Sequence, residues 1–411
     1  MKMASHLVAG LDIGATRTTT VIAEVRGQYP AHWIEVLGLG QVHTNGVHRD
    51  VVQDVEEMTE RVAKAMREAE LMAGCTVSNI YVGISGDQVQ TFPSHGVVAI
   101  SSREVSADDM ARLHVVARAV ALPHDRELLH TVPQNYTVDN NSGILHPVGM
   151  PGTRLESEVY LVTGASAIAN NIRSAVSRAG YRVEKLILEP LAAARAVLRE
   201  DEREIGVAVL DLGGATSQMA IFVDGRPYYT DMLPTGGVAL TWDLVQHLHI
   251  QHEEARRVLE NHGCAVAELV GSREMIEIPG PTPSRPRRIG RATVADALEN
   301  RLTAIVAWCQ RELNARELIA PLGTGVVLTG GVAALDGIGE LVQRMLGTPV
   351  RIGTPGAGVS GLADSMNRSR LSTVVGVAQY GADRFAKTGQ GALAHTPGMV
   401  GRVGAWLKEF F

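Results

Sequence analysis

Two aspartates, Asp12 and Asp211, occur in two similar segments of the sequence. The segments are separated by about half the length of the 411-residue chain. Each aspartate follows an apolar run and precedes a glycine-containing turn, in "GLDIGATRT" (10–18) and in "VLDLGGATS" (209–217). Backbone N–H groups exposed in such turns can bind phosphate. A carboxylate beside the turn suits Mg²⁺, which keeps several waters and needs few protein ligands. Two facing turns could hold one polyphosphate from both sides, so the duplication predicts a nucleotide cleft between similar halves.

A third glycine turn, Gly330-Gly331, follows the apolar run in "VVLTGGVAAL" (326–335). Because glycine has no Cβ, the backbone there could lie close to a nucleoside. One Asp-Gly turn alone is common in β structure. Three such turns, each directly after a predicted strand, favour a nucleotide site over ordinary tight turns. The chain contains no Gly-Lys pair, which excludes a Walker-type P-loop.

The patterns around the turns predict an α/β protein. Both aspartate segments predict strand, turn and strand, since apolar and β-branched residues flank the glycines. Residues 51–73 predict a helix that ends at Gly74, because apolar residues recur at three- and four-residue spacing. Residues 86–165 differ, with short strands around one helix near 108–121. That segment is predicted to be an inserted α+β module of about half a domain's size.

Composition excludes several classes of protein. The net charge of −6 and the pI of about 6.2 provide no general basic face, so no nucleic-acid partner is expected. The three cysteines are far apart in sequence and predict neither a disulfide framework nor a Cys-type zinc site. A reducing, cytoplasmic setting is therefore expected. No run of about 18 apolar residues occurs, so no transmembrane helix is predicted.

The last residues, 399–411, predict an amphipathic helix. Its apolar residues recur at helical spacing and form one stripe: Met399, Val400, Val403, Trp406, Leu407, Phe410 and Phe411. A helix of this length is about 20 Å long, too short to cross a bilayer core of about 30 Å. It could lie along the membrane surface, where Trp406 suits the headgroup region, and Arg402 and Lys408 favour anionic lipid. The alternative is a helix that docks on the protein's own core.

Several segments carry a resemblance to known proteins. "LDIGATRT", "LDLGGATS" and "LTGGVAAL" resemble the two phosphate motifs and the adenosine motif of the actin-like ATPase superfamily, and "LEPLAAARAVL" resembles its first connecting segment. "SHGVVAIS", "LLHTVPQNYTVD", "HGCAVAELVG", "VVLTGGVAALDGI" and the aromatic tail resemble segments of the FtsA family of bacterial cell-division proteins, in the same order. The resemblance covers essentially the whole chain. It implies an α/β actin-like ATPase fold, in which two lobes with duplicated sheet and helix cores enclose a nucleotide cleft.

The resemblance also implies how the chain is divided. The family's own inserted α+β subdomain would occupy residues 86–165. The other parts would be the first-lobe core (1–85, and 166–204 with the connecting segment), the second-lobe core (205–236 and 302–355), the second lobe's outer subdomain (237–301), a helix returning to the first lobe (356–385), a flexible linker (386–398) and a membrane-targeting helix (399–411).

The superfamily's site residues carry over to matching positions, with ATP and Mg²⁺ as the implied cofactors. Asp12 and Asp211 would orient the Mg²⁺–phosphate complex, largely through water. The phosphates would lie against Gly14, Ala15, Thr16, Arg17, Gly213, Gly214 and Thr216. The adenosine would lie near Gly330, Gly331, Val332, Glu254 and Arg257.

Glu189 is the candidate catalytic residue. It occupies the position in the connecting segment where actin-like ATPases can place a carboxylate near the attacking water. The alternative is a charge that stabilises a helix N-terminus. The resemblance implies weak or absent ATPase activity.

The family resemblance also implies partners and a location. The protein would polymerise as an actin-like filament on the cytoplasmic face of the inner membrane at the division site. It would bind anionic lipid peripherally through Val400, Val403, Trp406, Leu407, Phe410 and Phe411. It would anchor the ring of FtsZ, the tubulin-like division protein, by binding the FtsZ C-terminal tail, and would recruit other division proteins through the insert.

The tail of FtsZ would meet the region that contains Arg291, Glu299 and Arg301, next to the loop "GPTPSRPRR" (280–288). The alternative for this basic patch is a solvated loop. For the whole chain, the alternative function is a small-molecule kinase of the same superfamily. A kinase needs a general base beside an acceptor hydroxyl, and the sequence offers no candidate for that base. A chaperone-type ATPase would need a substrate domain, for which no room remains after Gly331.

Overall fold

The structure is a computed structural model that describes residues 6–44, 54–85, 89–278, 286–362, 366 and 368–393, with only the backbone described for 388–393. The tail residues Val400, Val403, Trp406, Leu407, Phe410 and Phe411 lie outside this range. Within the described part, no helix is long and apolar enough to span a membrane.

The first lobe is built on a six-stranded sheet. Its strands are β1 (Leu7–Ile13), β2 (Arg17–Arg26), β3 (Trp33–His43), β4 (Asn79–Ile84), β9 (Arg182–Leu188) and β17 (Val359–Ser360). They lie in the order β17-β3-β2-β1-β4-β9. The helix α1 (Val55–Ala73) covers one face together with α3 (Ser166–Arg178). Asp54 caps α1 by accepting hydrogen bonds from the N–H groups of Glu56 and Glu57, and Gly74 ends it in the left-handed conformation, as predicted.

The second lobe repeats this plan in a five-stranded sheet. Its strands are β10 (Val207–Leu212), β11 (Ser217–Val223), β12 (Arg226–Leu233), β15 (Val326–Thr329) and β16 (Val350–Ile352). Their order, β12-β11-β10-β15-β16, matches β3-β2-β1-β4-β9 strand for strand. In both lobes the first two strands pair antiparallel, and the first strand pairs parallel with the fourth. The predicted duplication is therefore confirmed in the sheet topology.

The outer part of the second lobe is mainly helical. It contains α6 (Gly237–Leu248), α7 (His252–His262), the hairpin of β13 (Met275–Ile278) with β14 (Arg287–Gly290), α8 (Arg291–Ala315) and α9 (Ile338–Leu346). These elements bury one large apolar core together with β10, β11 and β15. Since α7 packs at the edge of that core, it can present one face toward the first lobe.

The inserted module has its own four-stranded sheet and helix. Its sheet contains β5 (Gln90–Ala99), β6 (Arg126–Val138), β7 (Asn141–Ile144) and β8 (Arg154–Ala165), and its helix is α2 (Ala107–Arg118). Tyr136, Leu113 and Leu155 form the centre of its core. The inner ends of its long strands, including Leu129 and Val162, pack into the core of the first lobe. The module is therefore joined to the first lobe by packing as well as by the chain.

Two helices join the lobes at the base of the cleft. They are α4 (Glu189–Val197), which is followed by the short α5 (Glu200–Ile205), and α10 (Ser372–Leu393). Apolar residues of both sheets and of these helices share one core, which includes Val21, Val209, Ala194 and Val375. A change in the angle between the lobes must therefore be accommodated around α4 and α10.

The position of Gly376 allows the backbones of α10 and α4 to touch. A Cβ at this glycine would lie 1.7 Å from the carbonyl oxygen of Ala192. We expect Gly376→Ala to lower the free energy of unfolding by about 3 kcal/mol, since overpacking a buried contact forces the helices apart. Denaturant unfolding measures this loss. Gly339→Ala is the matched control, because a Cβ on that helical glycine meets open space. If both substitutions lowered the free energy of unfolding by the same small amount, the close contact between α10 and α4 would not require a glycine.

The last described helix corrects the predicted start of the flexible linker. The glycine content assigned 386–398 to a linker, whereas α10 continues to Leu393. One contact lies within that stretch, since Nζ of Lys387 is 5.8 Å from the centre of the Tyr29 ring. One turn earlier, Asp383 receives a hydrogen bond from Arg195 (Nε to Oδ2, 3.1 Å) and lies 2.8 Å from Nε2 of His32. These contacts hold the helix in place. The domain boundaries otherwise stay predictions.

Candidate functional site

The two predicted turns face each other across the space between the lobes. In the first, the N–H of Gly14 donates to the carbonyl of Arg17 (2.9 Å), and in the second, the N–H of Gly213 donates to the carbonyl of Thr216 (2.9 Å). The turns approach closely, since a Cβ at Gly214 would come within 2.9 Å of the Thr16 side chain. Each turn leaves backbone N–H groups at the end of a strand, where an anion can bind.

The turns form the floor of a cleft of about 1530 Å³. Most of the predicted site residues line it: Asp12, Gly14, Ala15, Thr16, Arg17, Glu189, Asp211, Gly213, Gly214, Thr216, Gly330, Gly331 and Val332. Residues from β1, β10 and β15 reach this place because all three strands end at the same edge of their sheets. The structure thus brings together side chains that the sequence separates by hundreds of positions.

Position 330 requires a glycine. Its φ is +88°, and a Cβ there would lie 2.3 Å from Oδ1 of Asp211 and 2.5 Å from the carbonyl oxygen of Leu212. The hydroxyl of Ser369 donates to the Gly330 carbonyl (2.8 Å) and holds this turn in place. At Gly331, by contrast, a Cβ would meet open space, so the turn exposes its backbone to the cleft.

Three carboxylates share the cleft: Asp211, which is buried, and Asp12 and Glu189, which are partly buried. Burial raises the pKa of Asp12 well above its usual range, and the charges of Glu189 and Asp211 raise it further. Burial likewise raises the pKa of Asp211 to about 6, although the Thr373 hydroxyl donates to its Oδ2 (2.9 Å). Burial also raises the pKa of Glu189. Three such groups disfavour one another's charge, so a cation or a proton beside them is stabilised.

This donor set fits a hydrated Mg²⁺. Carboxylate oxygens are the protein ligands that Mg²⁺ prefers, and one or two are enough when phosphates and waters complete the octahedron. Asp12 and Asp211, at matching positions in the two lobes, are the residues that would hold it. Within the part of the chain that the structure describes, no group of three or more His, Cys, Asp or Glu side chains is spaced to hold a metal ion.

Glu189 lies at the corner between β9 and α4, as the first residue of the helix. Its carboxylate accepts a hydrogen bond from the side chain of Gln218 (Nε2 to Oε2, 3.0 Å), and Gln218 also contacts Thr216 (3.3 Å). Both hypotheses for Glu189 therefore have a structural basis: it begins a helix, and it points into the cleft near the second turn. Gln218 was not among the predicted site residues. Its position on β11, two residues after Thr216, could have indicated that its side chain lies near the second turn.

The prediction for Glu254 and Arg257 is wrong about their place. They do not line the cleft, and instead form an ion pair with each other (3.1 Å) on the outer side of α7. The cleft is lined by Asn261 in the last turn of the same helix and by four residues that share one helical face: His252, Arg256, Leu259 and Glu260. A shift of one residue along a helix turns a side chain by about 100°. The sequence thus identified the correct helix and the wrong face.

The residues predicted to meet the FtsZ tail are engaged within the chain. Arg291 donates to the carbonyl of His262 (3.0 Å) and pairs with Glu274 (2.9 Å) and Asp336, and its side chain is only 16% exposed. Arg301 donates to both carboxylate oxygens of Asp243 (2.8 and 2.7 Å). Glu299 lies 3.7 Å from Arg344. Arg291 therefore holds the start of α8 against its neighbours, and the partner role of all three stays a prediction.

Comparisons with known proteins match this architecture. The sequence profile described as "Cell division protein FtsA" matches residues 208–376, and the profile described as "SHS2 domain inserted in FTSA" matches 86–163. The chain is 36% identical to "Cell division protein FtsA" of Pseudomonas aeruginosa, over 92% of this chain and 90% of that protein. It is 33% identical to the Escherichia coli (strain K12) protein of the same name, over 98% of each. This chain belongs to the FtsA family of cell division proteins.

Solved structures share the fold of this FtsA family member. The "PilM-PilN type IV pilus biogenesis complex" matches with a TM-score of 0.65 at 16% identity, over 91% of this chain and 98% of that one. MreB5 of Spiroplasma citri bound to ADP matches with a TM-score of 0.54 at 12% identity, over 93% and 98%. The actin-like ATPase fold is confirmed, and the predicted insert coincides with the family's SHS2 domain.

The raised pKa of Asp211 makes stability depend on pH. Because its pKa rises from 3.8 to about 6 on folding, its protonated form contributes stability that is complete below about pH 4 and is lost as pH rises through about 6. Two pKa units correspond to roughly 3 kcal/mol. Without Mg²⁺ or nucleotide, we expect Asp211→Asn to melt a few degrees above wild type at pH 7.5 and close to it at pH 4.5. An equal difference in melting temperature at both pH values would contradict the burial of this charge.

Proposed function

We propose that this FtsA family member binds ATP with Mg²⁺ in the cleft between its lobes. The pair of facing turns carries the proposal, because the same Gly N–H to carbonyl hydrogen bond recurs at Gly14 and Gly213. A polyphosphate between them would receive backbone N–H groups from both lobes. The similar fold of MreB5, whose solved structures hold ADP or AMPPNP, supports the proposal.

Each part of the nucleotide has its own place in this proposal. The phosphates lie between residues 14–17 and 213–216, and Asp12 and Asp211 hold Mg²⁺ largely through water. Bound Mg²⁺ supplies positive charge that neutralises the phosphate oxygens. The nucleoside lies toward Gly330, Gly331 and Val332, with the cleft face of α7 on its other side.

Glu189 is proposed to orient a water at the far end of the phosphates, assisted by Gln218. A carboxyl with a raised pKa accepts a proton readily, which suits a general base near neutral pH. Hydrolysis is proposed to be slow or absent, and the nucleotide then acts as a conformational ligand. Because both sheets meet at α4 and α10, a nucleotide that draws the lobes together changes the shape of the whole molecule.

The assembly role is proposed from the family. The protein polymerises as an actin-like filament on the cytoplasmic face of the inner membrane at the division site, with the tail stripe on anionic lipid. It binds the C-terminal tail of FtsZ through the outer subdomain of the second lobe, near Arg291, Glu299 and Arg301. The SHS2 insert recruits other division proteins.

One reconstitution tests these steps together. FtsZ should sediment with anionic liposomes only when this protein is present, and more strongly with ATP and Mg²⁺ than without. Isothermal calorimetry on the same preparation should detect ATP binding that depends on Mg²⁺. Absence of ATP binding to the folded protein would overturn the cleft assignment, and FtsZ that stays in the supernatant would overturn the anchoring role.

A further inference from the structure

A carboxylate on the cleft face of α7 bridges the two lobes. Oε1 of Glu260 lies 3.0 Å from Nη2 of Arg17, in the first lobe, and 3.0 Å from Nη1 of Arg256, one helical turn earlier on α7. The Arg17 and Glu260 positions are 243 residues apart. This ion pair therefore connects the phosphate turn of one lobe to the outer helix of the other, across the mouth of the cleft.

The bridge is held in position by its neighbours. Glu253 accepts two hydrogen bonds from Arg256 (2.6 and 3.1 Å), which fixes that guanidinium beside Glu260. The Arg17 side chain is only 17% exposed, so its attraction to Glu260 is less screened by water than that of a surface pair. Arg368 and Arg370 line the same cleft. The carboxylate of Glu260 thus lies among several guanidinium groups, and Glu253 is a second negative charge beside Arg256.

We propose that Glu260 is a latch that keeps the cleft closed over a bound nucleotide by linking Arg17 to Arg256. The proposal depends on the nucleotide function proposed above and names a positioning residue for it. A guanidinium carries five N–H donors, and Glu260 contacts one terminal nitrogen of Arg17. Arg17 can therefore hold the latch and a phosphate oxygen together, so that the nucleotide leaves only after the bridge opens.

A latch and simple charge repulsion predict opposite effects of removing Glu260 on the rate of nucleotide release. A carboxylate beside a polyphosphate repels it, so removal of Glu260 should slow nucleotide release if charge repulsion were its only effect. If Glu260 closes the cleft, its removal speeds release. The rate constant of dissociation therefore separates the two accounts more clearly than the affinity does.

The experiment measures release of ATP that carries a fluorescent group on its ribose, chased from the full-length protein by excess unlabelled ATP with Mg²⁺. We expect Glu260→Gln to release it about two to five times faster than wild type at low salt, the range of a partly exposed ion pair. This difference should shrink near 1 M salt, where exposed charges are screened. Glu260 is 44% exposed, so the substitution leaves the fold intact.

The matched control is Glu268→Gln, which removes an exposed carboxylate of the second lobe that pairs with Arg344 away from the cleft and should release nucleotide at the wild-type rate. If Glu260→Gln releases nucleotide at the wild-type rate or more slowly, the latch is wrong and the nucleotide site stands. If the wild-type protein binds no nucleotide, both the latch and the proposed function are wrong.

Discussion

Replacing both Asp12 and Asp211 by asparagine will abolish Mg²⁺-dependent ATP binding at pH 7.5. Each carboxylate lies one residue before the end of its strand, at matching positions of β1 and β10, and asparagine keeps its size without its charge. We expect at least a 100-fold loss of affinity, about 2.7 kcal/mol or more. The same change removes mutual repulsion among Asp12, Asp211 and Glu189, so the ligand-free protein should melt at a higher temperature than wild type.

The prediction is specific because the double substitution should weaken ATP binding and yet raise the melting temperature of the ligand-free protein. Calorimetry measures binding, and thermal unfolding without ligand measures stability. Asp243→Asn is the control, since Asp243 pairs with Arg301 outside the cleft and its loss should leave ATP affinity unchanged. A double variant that is folded and binds ATP as wild type does would show that the paired turns are not the phosphate site.

Two charges placed in the apolar stripe of the tail will release the protein from anionic liposomes. Trp406→Glu with Phe410→Glu removes two large apolar side chains from the predicted membrane face. Burying such a side chain contributes about 1.5–3 kcal/mol, so we expect membrane partition to fall about 100-fold or more. Liposome co-sedimentation measures the loss, and ATP binding by the same variant should be unchanged.

Glu409→Gln provides the matched control for the tail. Glu409 lies off the predicted stripe, so its neutralisation should maintain or strengthen binding to anionic lipid. Polymerisation would add avidity to the weak membrane binding of a single helix. Liposome binding of the variants is therefore compared below the protein concentration at which filaments form. Full liposome binding by the doubly charged variant would favour the alternative, in which the tail docks on the protein's own core.

The duplicated fold was predictable because its signals are local. An aspartate after an apolar strand and before a glycine turn occurs at Asp12 and at Asp211, and each pattern determines its own hairpin. The insert was predictable for the same reason, since its short strands interrupt a pattern of longer elements. The apolar stripe of the tail is inferred from helical spacing alone, and it stays a prediction because residues 399–411 lie outside the described residues. These features depend on neighbours within a few residues, which a sequence displays directly.

The partners of each site residue were not predictable in this way. Thr373 on α10 contacts Asp211, which is 162 residues away in sequence. Gln218 on β11 contacts Glu189, which is 29 residues away. On α7 the sequence pointed to Glu254 and Arg257, while the packing of the helix turned Arg256 and Glu260 into the cleft.

The sequence by itself therefore determined the strands, the paired turns with their residue types, and the insert. Tertiary structure alone decided which face of α7 looks into the cleft and which carboxylates share it. The physical reason is that a helix's phase is set by how its apolar side, here Ala255, Val258 and Leu259, packs on the core of the second lobe. Likewise, the raised pKa values of Asp12 and Asp211 arise from burial between lobes that are distant in sequence.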